Sequence, residues 1–192
     1  MDLLGLNSQG QSLFIKHSHA DKCWKSGENI IEPKYIFVDP ETAQTGWGMY
    51  DGNWHYKFDE KVGVADEQPS HDHRRAFSIC LYIPDGPDKG PYIWRNFTWG
   101  ECVGFNELVG LFWSEKDKNI GKVAALEYTG ARSEKGKVGG FTVPEFKFLK
   151  WTDKPEDFVF ETVEVKETVE NKTADFDFAE DKKEIKENDL PF

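Results

Sequence analysis

Apolar and polar residues alternate with a period of two along much of the first 150 positions, and that period predicts strands. In "RRAFSICLYIP", Phe77, Ile79, Leu81 and Ile83 fall on one face, and Arg74, Ser78 and Tyr82 on the other. "KYIFVD" (34–39) reads as a strand, as does "PYIWRNFTWG", bounded by Pro91 and Gly100. Within "GWGMYDGNWHYKF", Asp51-Gly52 supplies the positive φ angles of a two-residue hairpin turn. With that loop Tyr50 faces Asn53, Met49 faces Trp54 and Trp47 faces Tyr56. Trp47, Met49, Trp54, Tyr56 and Phe58 then share one side, and His55 and Lys57 take the other.

After residue 100 the period changes. Phe105, Leu108, Val109 and Phe112 are spaced i, i+3, i+4 and i+7, and with Asn106 as a capping residue they predict one short helix over 106–116. Two further strands, "KVAALEYTG" and "VPEFKFLKW", flank "ARSEKGKVGGFT", whose glycines and lysines predict an exposed loop. The expected class is all-β: an OB-fold-like Greek-key β-barrel with one short α-helix. A β-sandwich with an accessory helix would give a similar string of elements.

Charge divides the chain in two. The formal net charge is −11, and residues 153–192 carry 14 acidic and 6 basic groups against 21 and 18 in residues 1–152. All seven tryptophans precede residue 153. A body over 1–152 and an acidic tail over 153–192 follow, the tail expected to be largely disordered from about residue 170 because its few apolar groups cannot offset the entropy of ordering. Residues 158–169 suit either another strand or an extended segment. Three cysteines without a CxxC pair fit a reducing cytoplasm, and the sequence shows neither a signal-peptide pattern nor an apolar run long enough to cross a membrane.

Candidate chemistry narrows to stacking and charge. Aromatic side chains that stack on bases, beside cations that follow phosphates, are what single-stranded nucleic acid requires. Trp47, Trp54, Tyr56, Trp94 and Trp99 are the stacking candidates; Arg74, Arg75, Arg95, Arg132, Lys135 and Lys137 are the phosphate candidates. Along residues 92–99, Tyr92 and Trp94 point opposite to Phe97 and Trp99, so one pair is expected off the core. "HSHADKC" (His17, His19, Cys23) and "HDH" (His71, Asp72, His73) match no usual zinc spacing and read as exposed polar loops, so no metal is assigned. No nucleophile elbow, P-loop or HExxH occurs, and neither a catalytic residue nor a cofactor is assigned.

The chain ends in "ENDLPF". An acidic tail closing on Asp189, Leu190, Pro191 and Phe192, after a body read as an OB barrel, resembles the bacterial single-stranded-DNA-binding proteins, whose acidic tails end in an Asp-rich Ile-Pro-Phe tip. The body departs from that family in its longer connections and is more similar to phage-encoded members. The resemblance implies a non-enzymatic protein that coats and protects ssDNA with little sequence preference and works in the cytoplasm of a bacterial host. It also implies recruitment of replication, recombination and repair enzymes through residues 189–192. No membrane partner is expected, and the sequence leaves monomer or dimer open. A non-DNA-binding all-β interaction adaptor is the alternative.

Overall fold

The computed structural model describes residues 14–136 and 139–160. Lys137 and the expectations for the acidic tail and its tip, residues 189–192, lie outside these residues. In chain order the elements are β1 (Phe14–Ser18), β2 (Cys23–Ser26), β3 (Asn29–Ile31), β4 (Tyr35–Tyr50), β5 (Trp54–Phe58), β6 (Arg74–Ile83), β7 (Gly90–Asn96), α1 (Trp99–Gly110), a 3₁₀ turn (Trp113–Lys118), β8 (Lys122–Gly136) and β9 (Gly139–Asp153).

The strands form one sheet in the order β3-β2-β1-β7-β6-β4-β8-β9, and β5 pairs with β4. The β1–β7 pair is parallel. β4 is long enough for one of its edges to serve twice: residues 35–38 pair with β8 and residues 46–50 with β5, while β6 runs along the other edge. A register shift between Asp39 and Gln44 bends β4 in the middle. The bend is stitched by side chains, with Asp39 accepting the Glu41 N–H at 3.0 Å and Thr42 accepting the Cys80 N–H at 2.9 Å. The sheet curls into a half-barrel, so the protein is mostly β with one short helix. Trp24 on β2 accordingly meets Tyr128 on β8, ring centroids 5.9 Å apart, although β1, β7, β6 and β4 lie between their strands.

The inner face holds the core. Ile15, Trp24, Ile36, Val38, Phe77, Ile79, Leu81, Ile83, Tyr92 and Trp94 are buried there under Phe105, Leu108 and Phe112. The alternation expected for β6 is present on this face, but Ser78 and Tyr82 on the opposite face are buried too. Ser78 lies opposite Arg95 of β7 and accepts its Nε–H, and for Tyr82 the segment after β9 is the reason. Phe158 is buried against Tyr82 and Val123, the Tyr82 hydroxyl donates to Asp157 at 2.6 Å, and Lys154 pairs with the buried Asp39 carboxylate at 2.7 Å. The compact unit runs through Phe160 rather than ending at residue 152.

Three local expectations are corrected. The hairpin loop has three residues, because Tyr50 pairs with Trp54 and Trp47 with Lys57. A one-residue change of register sends paired side chains to opposite faces. Trp47 and Met49 therefore lie with His55 and Lys57, and Trp54, Tyr56 and Phe58 lie on the other side. The helix starts at Trp99, not 106: the Asn96 side chain accepts the N–H groups of Phe97 and Thr98 at 2.7 and 2.9 Å and turns the chain out of β7. Asn106 sits inside the helix. Finally, residues 131–136 and 139–142 are strand, paired from Lys122–Asp153 out to Gly136–Gly139 in one long arm. Their glycines and lysines marked exposure, not loss of pairing.

Candidate nucleic-acid interface

The outer face of the sheet has two halves. One is covered by residues 154–160; the other, over β5, the end of β4, β6 and β7, carries a strip of rings. Its floor is small: Gly46 and Gly48 on β4 and Ala76 on β6. A Cβ at Gly48 would come within 2.6 Å of the Phe97 ring and 3.1 Å of Tyr56, and one at Gly46 would overlap the Lys57 carbonyl. Glycine here lets the rings of β5 lie down across β4.

On that floor the rings form a chain of contacts. Tyr50 meets Trp54 at 4.9 Å, Trp54 meets Phe97 at 5.2 Å, Phe97 meets Tyr56 at 6.0 Å, and Tyr56 stacks on Phe58 at 6.1 Å. Trp54 is 60% and Tyr50 59% exposed, so the outer end of the strip is open, while Tyr56 and Phe58 are half-buried. Burial pushes the Tyr56 hydroxyl up to about 12 against the opposing charge of Arg95, so the ring stays neutral.

Arg95 stands among these rings. Its guanidinium lies 5.3 Å from the Tyr56 centroid, 5.1 Å from Phe58 and 5.6 Å from Phe14, contacts of the cation–π kind worth about 0.5–2 kcal/mol each when desolvated. Nε donates to the Ser78 hydroxyl at 3.2 Å. Among the described residues no carboxylate pairs with it, and burial works against its charge. Arg74 is exposed on the same face, opposite Gly48.

The other sequence candidates separate by their surroundings. Trp94 is 0% exposed and hydrogen-bonded to Glu101 in the core, which takes it out of a stacking role. Trp47 lies on the opposite face from Trp54; its indole donates to the Asp66 carbonyl at 2.9 Å and its ring carries Arg75 at 4.9 Å. Arg75 in turn makes two bonds to Asp59, at 3.1 and 2.6 Å, and this pairing holds the Asp59 carboxyl down to about 2. Arg132 is bound by Glu107, Glu134 and Glu145 at 2.6, 2.7 and 3.3 Å, so its charge is already answered. Trp99, 71% exposed on the first turn of α1, makes no ring contact with the strip among the described residues, and Lys135 is exposed near the end of the β8–β9 arm.

The structure thus brings together Trp54, Tyr56, Arg74 and Arg95, and adds Tyr50, Phe58, Phe97 and Phe14, which the sequence candidates did not include. The available signal was the spacing Gly46-x-Gly48, which leaves one face of β4 bare opposite Tyr56 and Phe58. The histidines differ from expectation as well. His17 is buried in β1 with Nε2 3.1 Å from the Tyr128 hydroxyl, whereas His71 is exposed. Among the described residues no three His, Cys, Asp or Glu side chains gather as metal ligands, and no helix is long and apolar enough to cross a membrane.

No family model, no curated protein and no solved structure matches the chain.

Proposed function

We propose that this chain is a single-stranded-nucleic-acid-binding protein of OB-like architecture that lays an extended strand of DNA along the outer face of its curled sheet. The observation that carries this reading is the continuous strip from Tyr50 through Trp54, Phe97 and Tyr56 to Phe58, with Arg95 embedded in it. Rings that only filled a core would lie under cover. Here the outer rings are open and tilted, and Arg95 stands against Tyr56 and Phe58 further along the same strip, the combination that stacks bases and follows a backbone without reading sequence. Bases would stack on Trp54 and Tyr50, with Phe97 and Tyr56 behind them, and Arg74 and Arg95 would meet phosphates. Residues 189–192 are the proposed docking tip for replication, recombination and repair enzymes of a bacterial host, in keeping with the resemblance of the chain's end to the tails of bacterial ssDNA-binding proteins.

The test is a fluorescence titration of the full chain with oligo-dT at low and moderate salt, repeated with Trp54→Phe. Saturable quenching that weakens with salt and loses most of its amplitude in the variant supports the strip. Absence of quenching and of any change in oligonucleotide anisotropy overturns the reading and leaves a protein-binding adaptor in its place.

A further inference from the structure

Arg95 differs from Arg75 and Arg132 in what surrounds it. The latter two face carboxylates, whereas Arg95 faces rings. Phe14, Tyr56 and Phe58 keep water from the guanidinium, and Ser78 takes Nε and fixes the plane. The two terminal nitrogens make no hydrogen bond among the described residues, and neither is sealed from solvent. A cation partly stripped of water and given no counter-charge by the described residues is costly, and an oxyanion arriving at its free edge recovers part of that cost. The planar fork suits two oxygens of one phosphate better than it suits a diffuse field.

We propose that Arg95 seats a single phosphodiester through its two terminal nitrogens, so that the smallest ligand of the strip is one dinucleotide step, a phosphate with a base on either side. This rests on the single-stranded-nucleic-acid reading above. The spacing supports it. Phe97 follows Arg95 by two residues, just past the end of β7, and Tyr56 contacts both Arg95 and Phe97. Ring surface is therefore available within one nucleotide of the seated phosphate. Arg74, exposed and with no ring over it among the described residues, acts on the strand as a point charge at the rim.

The experiment uses the full chain and two probes: oligo-dT over a salt series, and the dinucleotide TpT beside its uncharged methylphosphonate analogue. In Arg95→Met the slope of log affinity against log salt is expected to shrink by about 0.7, the share of one single-strand phosphate, with affinity about tenfold lower. Arg95→Lys is expected to keep the slope but not the affinity, because a point charge cannot make the paired contact. The unmodified chain is expected to prefer charged TpT over the neutral analogue, and Arg95→Met to bind the two alike. An unchanged slope in Arg95→Met, or a preference for charged TpT that survives the substitution, overturns the seat. If Arg95→Met does not fold, as judged by circular dichroism, the unmodified chain decides through TpT alone: indifference between the two dinucleotides overturns the proposal. Failure of the unmodified chain to bind oligo-dT overturns the function itself, whereas Trp54-dependent binding with an unchanged Arg95→Met slope removes only the seat.

Discussion

Trp94 donates its indole N–H to the Glu101 carboxylate at 2.6 Å, and both side chains are buried. Trp94, Asn96 and the His17 backbone favour the charged form of Glu101, yet burial outweighs them and pushes its acid up to about 7. The folded protein thus holds a proton that the unfolded chain releases near 4.5, so stability falls as pH rises from about 4.5 to 7 and levels off above. Glu101→Gln keeps an acceptor for the indole and removes the charge. It is expected to be more stable than the parent at pH 8, by on the order of 3 kcal/mol, with the difference gone by pH 4.5. Thermal unfolding at the two pH values checks this.

Asp59 has the opposite sign. Its pairing with Arg75 holds it down to about 2 from an ordinary value near 3.8, so its contribution is present above pH 4 and is lost as pH falls toward 2. Asp59→Asn is expected to cost about 2 kcal/mol at pH 7 and to flatten the acid limb of a urea-midpoint profile.

Trp54 and Trp47 sit on opposite faces of one hairpin and should separate binding from folding. Trp54→Ala is expected to weaken oligo-dT binding by about 1–3 kcal/mol with little loss of stability. Trp47→Phe loses the bond to the Asp66 carbonyl, about 1 kcal/mol of stability, and should leave affinity unchanged. Anisotropy titrations and thermal melts on both variants give the comparison.

Arg132 and Arg74 make a second pair. Three glutamates already surround Arg132 on an exposed arm, so Arg132→Ala should leave the salt slope of DNA binding unchanged and cost less than about 1 kcal/mol of stability. Arg74→Ala should reduce the slope by about 0.7.

Gly48→Ala tests the floor of the strip. The added methyl meets Phe97 at 2.6 Å, so the ring must move, at a cost of about 1–3 kcal/mol. Weaker oligo-dT binding should accompany a lower melting temperature, and Phe97→Leu in the same background should restore the melting temperature without restoring the binding.

Much of the local order was legible in the chain. The faces of β5 were, since Trp54, Tyr56 and Phe58 alternate with His55 and Lys57 whatever the loop does. The faces of β4 relative to β5 were not, because they depend on whether Asn53 belongs to the loop or the strand, and Asp51-Gly52 is compatible with both. Opposition of Trp94 to Phe97 was legible too. That Trp94 is the buried one depended on where α1 came down, and the start of α1 depended on the Asn96 turn, which alternation along 91–100 concealed.

The sequence by itself determined the mostly-β character with one short helix, the position of most strands, the apolar spacing of residues 105–112 and the segregation of charge toward the carboxyl end. These follow from periodicity and sterics that act between near neighbours. Only the tertiary structure decided which half of the outer face stays open, because the cover comes from Phe158, 76 positions after Tyr82 on which it packs. It also decided which cations are free: Arg132 is answered by Glu107, 25 positions away, while Arg95 is given rings. Neither outcome is written in a local pattern, since a charge becomes available or spent only when distant segments arrive beside it.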